Sequence, residues 1–414
     1  MEGRPFVAHF DGDSFFVSCE LLRRPDLRGK PVVTGGERGV VTSMSLEAKR
    51  LGVRRTTPCF EVRKTHPNVI ILESSFELYA ATARRVFSIV GEYAMALEEY
   101  SIDECFALVA SPEVARKAKQ ELEDSTGVTF GVGVARTKTL AKVASRLAKP
   151  AGFRALIDDE DVRGVLTEFP IEAVWGIGPR TSAALRARGI ATAAELAQAR
   201  GIEERFSVNV ARTARELSGR FELPLVEDAS TKFMESYATP GTPQASVTSS
   251  RSFHPPVSNV DELRCRVREH VDAACARVRA MGKAARRVDI FLRDESYRTV
   301  SAHARIEPAS ASPIGCIDAA RRALAAALSP GNSYRTVGVT FTEFVERGVH
   351  QEDLFSNGER AGVGLAARRE AVADAVDALR HRLGPDAIRF GSVGGKAQSS
   401  TPRPWALPHL GEVR

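Results

Sequence analysis

The rhythm of apolar and polar positions changes several times along this chain, and each change predicts an element boundary. Residues 7–10 form a short apolar run that reads as a buried strand, and residues 15–22 space their apolar positions as a helix does. Residues 31–33 and 39–42 read as short strands, and a helix opens over 46–51. A long helical run follows Phe76 to Met95, then a strand over 107–109, a helix over 112–123, an alternating strand carrying Val128, Phe130, Val132 and Val134, and a helix over 139–148. The pattern to about residue 165 is α/β, interrupted between 20 and 76 by what reads as a small inserted subdomain. Residues 167–235 are helical in period. Pro240, Gly241 and Pro243 then mark a linker at 236–244. Beyond it the order is strand (245–253), helix (260–281), strands (287–292 and 297–304), helix (314–328) and strand (334–344). This βαββαβ order predicts a four-stranded antiparallel sheet backed by two helices. A last helix is expected over 362–383, with a packing or partner role.

Composition narrows the class. At 414 residues the chain exceeds one ordinary core, and multidomain α+β architecture is expected. It is 43% hydrophobic and 27% charged, as soluble globular proteins are. No apolar stretch approaches the ~18 residues of a membrane span, and the start Met1-Glu2-Gly3-Arg4 lacks a signal-peptide pattern, so we expect a cytoplasmic protein without a membrane partner. The six cysteines are scattered, with no Cys-x-x-Cys pair, and read as reduced buried thiols. Net charge is +6, and residues 240–342 alone carry fifteen Arg or Lys against nine Asp or Glu. A basic module of this kind suits a polyanionic partner.

Two acidic strings carry the candidate chemistry. Asp11-Gly12-Asp13-Ser14-Phe15-Phe16 follows the first strand, and Tyr100-Ser101-Ile102-Asp103-Glu104 precedes another, so both can present carboxylates at one sheet edge. Paired carboxylates so placed hold divalent cations, and two Mg²⁺ ions clamping a phosphate are common machinery for phosphoryl or nucleotidyl transfer. Either string alone is more often a turn or a solvated strand end. Farther on, Trp175-Gly176-Ile177-Gly178-Pro179-Arg180-Thr181 reads as a hairpin between helices whose backbone N–H groups can grip a nucleic-acid phosphate.

Together these residues resemble the Y-family DNA polymerases, in particular the bacterial DNA polymerase IV type. The resemblance runs from residue 6 to about 345. Its carriers are the string from His9 to Glu20, Leu27-Arg28-Gly29-Lys30-Pro31, Glu47-Ala48-Lys49-Arg50-Leu51-Gly52, the string from Tyr100 to Phe106, Lys149-Pro150 and the Trp175 hairpin. It implies a right-hand polymerase fold: a ferredoxin-like palm (1–19 and 77–166), small fingers (20–76), a helical thumb with a helix-hairpin-helix (167–235) and a βαββαβ little finger (245–346). A C-terminal tail (347–414) follows.

The resemblance also implies roles. Asp11, Asp103 and Glu104 would be the catalytic metal ligands, with the Gly12 carbonyl, for two Mg²⁺ ions that Mn²⁺ can replace. Asp13 would instead make a local backbone hydrogen bond. Phe16 would be the steric gate against a ribose hydroxyl, with Phe15 supporting the sugar. Ser43, Lys49 and Lys149 would meet the deoxynucleoside triphosphate. Gly176, Gly178, Arg180 and Thr181, with Arg251, Arg287 and Arg298, would hold primer–template DNA. Gln351, Leu354 and Phe355 resemble the peptide that docks on a sliding clamp. The chain would act as a monomer, copying damaged template with low fidelity in DNA repair and damage tolerance. One departure is visible: Leu46-Glu47-Ala48-Lys49 stands where relatives generally carry Tyr-Glu-Ala-Arg, exchanging a bidentate guanidinium for an ammonium. Two other classes remain open. A catalytically silent adaptor would have lost the carboxylates retained here. A palm-like nucleotide cyclase would need no template.

Overall fold

The computed structural model describes residues 5–36, 39–225, 245–329, 331–348, 360–384 and 387–388. The chain divides into two compact units, residues 1–238 and 239–414.

Along the first unit run β1 (Phe6–Gly12), α1 (Phe15–Arg23), β2 (Val32–Thr34), β3 (Ser43–Met44), α2 (Leu46–Arg50), α3 (Cys59–Thr65), β4 (Ile70–Leu72) and α4 (Phe76–Tyr93). Then come β5 (Ala96–Glu99), β6 (Glu104–Val109), α5 (Pro112–Thr126), β7 (Phe130–Ala135), α6 (Lys138–Ala148), β8 (Phe153–Leu156), α7 (Asp159–Glu168), α8 (Pro179–Arg186), α9 (Ala193–Gln198), α10 (Ile202–Arg205) and α11 (Val208–Leu217). The main sheet has the order β5-β6-β1-β7-β8, antiparallel except for the β7–β8 pair. β5 and β8 are edge strands. Their short, mixed sequences, Ala-Leu-Glu-Glu and Phe-Arg-Ala-Leu, lack an apolar run, which is why periodicity did not predict them.

Side-chain parity sorts the sheet into two faces. Ala8 and Phe10 join Cys105, Ala107 and residues of α4 and α5 in one core. Val7 and Phe106 face the other way and pack with Leu140, Ala141 and Ala144 of α6 in a second core that continues through α7–α11. β7 is buried at all six positions, not on one face as its alternation suggested, because α6 covers the side where the chain places Gly131 and Gly133. The interruption forms a small sheet of order β3-β2-β4 between α1 and α4. Its second strand is Ser43–Met44, not 39–42, and Val40 makes only an isolated bridge to Pro58.

The second unit contains β9 (Ser246–Val257), α12 (Val260–Ala280), β10 (Lys283–Asp294), β11 (Thr299–Ser310), α13 (Pro313–Ala327), β12 (Tyr334–Glu346) and α14 (Arg360–Leu383). Its sheet has the order β11-β10-β12-β9, antiparallel throughout, and α12 and α13 bury one face. The last helix is a packing element. Glu370 accepts from the backbone N–H groups of Ala311 and Ser312 (both 2.9 Å) and from Ser310 Oγ (2.6 Å), just ahead of α13. Arg279 of α12 forms a bidentate pair with Asp377, and Arg380 forms one with Asp272.

Candidate functional site

The β1–β6 register sets Asp11 opposite Glu104 and His9 opposite Phe106. Cross-strand partners share a face, so Asp11 and Glu104 project toward α6 from neighbouring strands. The backbones also lock: Gly12 N–H donates to the Asp103 carbonyl at 2.9 Å. On the other side of β1, Asp11 lies opposite Gly131 and His9 opposite Gly133. A Cβ at Gly133 would stand 2.1 Å from Ser145 N and 2.2 Å from Ala141 O, and one at Gly131 would stand 2.5 Å from Lys149 Cγ. These two glycines let the backbone of α6 lie directly on the sheet. They are the site's main feature that periodicity missed, and glycines two apart on one strand face were the available signal.

Close approach brings a polar stripe of α6 onto the acidic strands. Lys138, Lys142, Ser145 and Lys149, spaced to share one helical face, meet Glu98 of β5, Glu104 of β6, His9 of β1 and Asp11 of β1. Lys142 Nζ stands 3.1 Å from Glu104 Oε1, and His9 Nε2 stands 3.2 Å from Glu104 Oε2. Burial lowers the pKa of His9, favouring the neutral ring; Nε2 meets Glu104, and Nδ1 lies 2.7 Å from Ser145 Oγ, whose hydroxyl reaches the Lys142 carbonyl at 3.1 Å. Burial would raise Glu104, but the His9 hydrogen bond and the Lys142 charge outweigh it and hold the carboxyl at about 2. Burial pushes Asp11 upward, against the pull of Lys149.

Lys149 does not project freely. Its ammonium sits 2.6 Å from Asp11 Oδ1 and 3.3 Å from the Gly12 carbonyl. The ammonium thus bridges this carboxylate and this carbonyl. Among the described residues no three His, Cys, Asp or Glu side chains converge to hold an ion unaided. The chemistry nonetheless suits Mg²⁺, which binds through one or two carboxylates and completes its shell with water and substrate phosphates. Asp13 stands at the margin of this set, its Oδ1 3.9 Å from the Lys149 ammonium. Its Oδ2 accepts from Ala151 N at 2.7 Å and Thr129 Oγ1 at 3.0 Å, so its bond to backbone is long-range, not local as expected.

Phe16 stacks on Tyr79 of α4 with ring centroids 4.3 Å apart and an 8° interplanar angle, and Phe76 meets both rings edge-on. The Tyr79 hydroxyl donates to Glu20 at 2.7 Å, which fixes the stack. Phe15 is buried in the core behind it. Ser43 is 3% exposed within β3. Leu46 and Lys49 are exposed on α2, whose N-cap is Ser45.

The hairpin expected between helices is present. Gly176 has φ +83°, Gly178 caps α8, Pro179 occupies its first turn, and Arg180 is exposed beside Thr181. In the second unit the expected arginines do not share a face. Arg251 pairs with buried Val337 on the helix-covered side, near His270, whereas Arg287 lies on the open side. There Arg287 is held bidentate by Asp289 (2.7 and 3.0 Å). Arg298 is 83% exposed at the β10–β11 turn. The open face is rich in hydroxyls: Thr248 meets Thr340 at 2.9 Å, Ser252 meets Thr336 at 3.0 Å, and the Phe291 ring covers Gly338. Gln351, Leu354 and Phe355 lie outside the described residues.

Set against solved structures, the fold is that of the Y-family DNA polymerases. The Y-family DNA polymerase chimera Dbh-Dpo4(243-245)-Dbh matches with a TM-score of 0.68 at 21% identity, over 82% of this chain and 99% of that one. The insertion ternary complex of Dbh DNA polymerase matches with a TM-score of 0.53. The chain belongs to the impB/mucB/samB family: that family's model matches residues 10–146, and its C-terminal domain model matches residues 244–354. Protein SamB of Salmonella typhimurium is 32% identical over 90% of this chain and 89% of its own length. Protein UmuC of the same species is 31% identical over 96% of each. The DNA polymerase IV of Desulfatibacillum aliphaticivorans is 28% identical over 92% of this chain and 95% of its own. The expected Y-family membership is thus borne out, with relatives of the UmuC and SamB kind alongside polymerase IV.

Proposed function

We propose that the chain is a template-directed DNA polymerase that adds deoxynucleotides to a primer 3′-hydroxyl, with low fidelity and a role in damage tolerance. The observation that carries this reading is the register that sets Asp11 beside Glu104 under α6, with Asp103 bonded through its carbonyl to Gly12, in a chain that matches its relatives nearly end to end. Asp11, Asp103, Glu104 and the Gly12 carbonyl would hold the two divalent ions. Mg²⁺, or Mn²⁺ in its place, supplies Lewis acidity toward the primer hydroxyl and neutralises charge on the triphosphate and pyrophosphate. Glu104, kept ionised by Lys142 and His9, is ready to accept a cation without first losing a proton. Lys149 would exchange Asp11 for the incoming triphosphate. Phe16, braced by Tyr79, would exclude the ribose 2′-hydroxyl.

The α8 hairpin would grip a backbone phosphate through Gly176 and Gly178, with Arg180 and Thr181 beside it. The hydroxyl-rich open face of the second unit, with Arg287 and Arg298, would meet duplex backbone. The clamp-docking role of Gln351, Leu354 and Phe355, monomeric action and a cytoplasmic setting complete the reading. No helix among the described residues is long and apolar enough to cross a membrane.

The test is primer extension on a defined template with Mg²⁺ and each nucleotide singly, comparing the natural chain with Asp103→Ala/Glu104→Ala. Templated extension lost in the double variant is the expected result. No extension by either protein, with DNA binding intact, would instead mark an adaptor, and product formed without template would mark a cyclase.

A further inference from the structure

One cation at the site is placed unlike the others. Lys142 Nζ lies 3.1 Å from Glu104 Oε1 and is also enclosed by three aromatic rings, with centroids at 4.5 Å (Tyr100), 4.8 Å (Trp175) and 5.6 Å (Phe106). The rings brace one another. Tyr100 is edge-on to both Trp175 (5.4 Å, 86°) and Phe106 (5.6 Å, 75°), and Trp175 Nε1–H donates to Tyr100 Oη at 3.3 Å. The Lys142 side chain is 14% exposed, so the attraction between ammonium and ring faces is little screened by water.

The cage joins three parts of the first unit. Phe106 follows Glu104 on β6, Tyr100 opens the acidic string, and Trp175 is the residue before Gly176 in the hairpin that leads into α8. Tyr100 and Phe106 belong to the carboxylate's own neighbourhood and would pack there in any case. Trp175 does not. It comes from the segment read above as the grip on a backbone phosphate, and it reaches the carboxylate's surroundings through the lysine and through its packing on Tyr100 and Phe106 (centroid 5.8 Å). Glu104 is therefore fixed at both oxygens, by His9 on one side and by a lysine whose position depends on the hairpin on the other.

We propose that Lys142 is a positioning residue that ties the hairpin to Glu104: when the hairpin is seated, Trp175 closes the cage, the ammonium is held, and Glu104 keeps the rotamer in which it meets the primer end. This inference rests on the polymerase reading. A simple salt bridge would have needed no aromatic cage, and a structural aromatic cluster would have needed no buried ammonium beside a candidate metal ligand.

The test uses the full-length chain in single-turnover insertion, with DNA affinity measured separately by anisotropy. Lys142→Met keeps a long side chain that fills the cage but removes the charge. It is expected to slow insertion by about tenfold to a hundredfold, the effect of displacing one reacting group by about 1 Å. The apparent affinities for nucleotide and for primer–template should stay within about twofold, since neither ligand is held by Lys142. Trp175→Leu should slow insertion as well, and its effect on the rate should vanish in the Lys142→Met background, because the indole acts through the lysine.

A second readout needs no catalysis. In a Trp405→Phe background Trp175 is the single tryptophan, and its emission should change when Lys142→Met removes the ammonium from the indole. Unchanged emission, additive rate effects, or an unchanged rate in Lys142→Met while the natural chain extends primers would each overturn this proposal and leave the polymerase reading standing. No extension by the natural chain would overturn both.

Discussion

Replacing Asp377 by Ala should loosen the last helix by an amount the geometry allows one to bound. The Arg279 side chain is 3% exposed and donates three hydrogen bonds: two to Asp377 (2.7 and 2.8 Å) and one to the Ala311 carbonyl (2.6 Å). Removing Asp377 leaves a buried guanidinium with one partner. Breaking a fully buried pair costs roughly 3–5 kcal/mol, but the Asp377 side chain is 35% exposed, so water can reach part of the vacated volume. Losing two charge-assisted bonds with partial replacement by water gives about 2–3 kcal/mol. A two-domain chain need not unfold in one step, so the assay is hydrogen exchange of the full-length protein, followed in peptides from α12 and α14. Protection in α14 should fall by roughly 30- to 150-fold. Arg279→Met/Asp377→Leu, which removes both charges and leaves none buried, should lose far less. A drop within about twofold in Asp377→Ala, or equal loss in the double variant, would refute the idea that this pair pins the helix.

Three further outcomes are expected. Phe16→Ala should raise ribonucleotide over deoxynucleotide insertion in single-turnover assays, and an unchanged ratio would remove Phe16 from the gate role. Burial lowers the pKa of His270 below 6.5, with Glu269 pulling it up and Arg251 and Arg266 pushing it down; its Nδ1 meets Ser249 and its Nε2 has no partner among the described residues. The unfolded chain therefore takes up a proton first as pH falls, so the second unit should lose stability below about pH 6.5 and not above it, and His270→Asn should flatten that slope in denaturant titrations. Because Asp289 and, at 3.8 Å, Glu343 compete with phosphate for Arg287, Asp289→Ala should tighten primer–template binding and steepen its salt dependence, and Arg287→Ala should weaken binding and flatten that dependence; unchanged binding in both variants would remove Arg287 from the DNA contact.

How much of this was legible follows from what each signal encodes. The two acidic strings are local features, and the register sets Asp11 opposite Glu104; strand period, also local, missed the edge strands β5 and β8 and placed a strand at 39–42 instead of Ser43–Met44. The order βαββαβ likewise fixed the second unit, because each of its elements is long and periodic. Arg251 shows where local reading stopped. Its charge is visible in the sequence, but its face is set by parity with Val247 and Phe253, which pack into the core and carry Arg251 to the covered side. Composition counts charges without assigning them to faces.

The constraint that builds the site is a register, and register is a property of pairs of segments. Glu104, His9 and Asp11 face α6 only because β1 pairs with β6 and β7 in the alignment that also puts Gly131 and Gly133 beneath the helix. A slip of one residue would turn His9 and Asp11 to the opposite face and bring Phe10 under the lysines of α6. A corresponding slip of β7 would set bulky Val132 against the α6 backbone, so packing and chemistry select one alignment together. Gly133→Ala tests that link directly. The added Cβ has only backbone within 2.2 Å, so α6 must lift, at a cost of about 3 kcal/mol or more. Lys142, Ser145 and Lys149 would leave their partners at once. Thermal melting of the full-length chain should then show a destabilised first unit, and any folded fraction should have lost insertion activity; a stable, active Gly133→Ala protein would mean that the close approach of α6 is not what assembles the site.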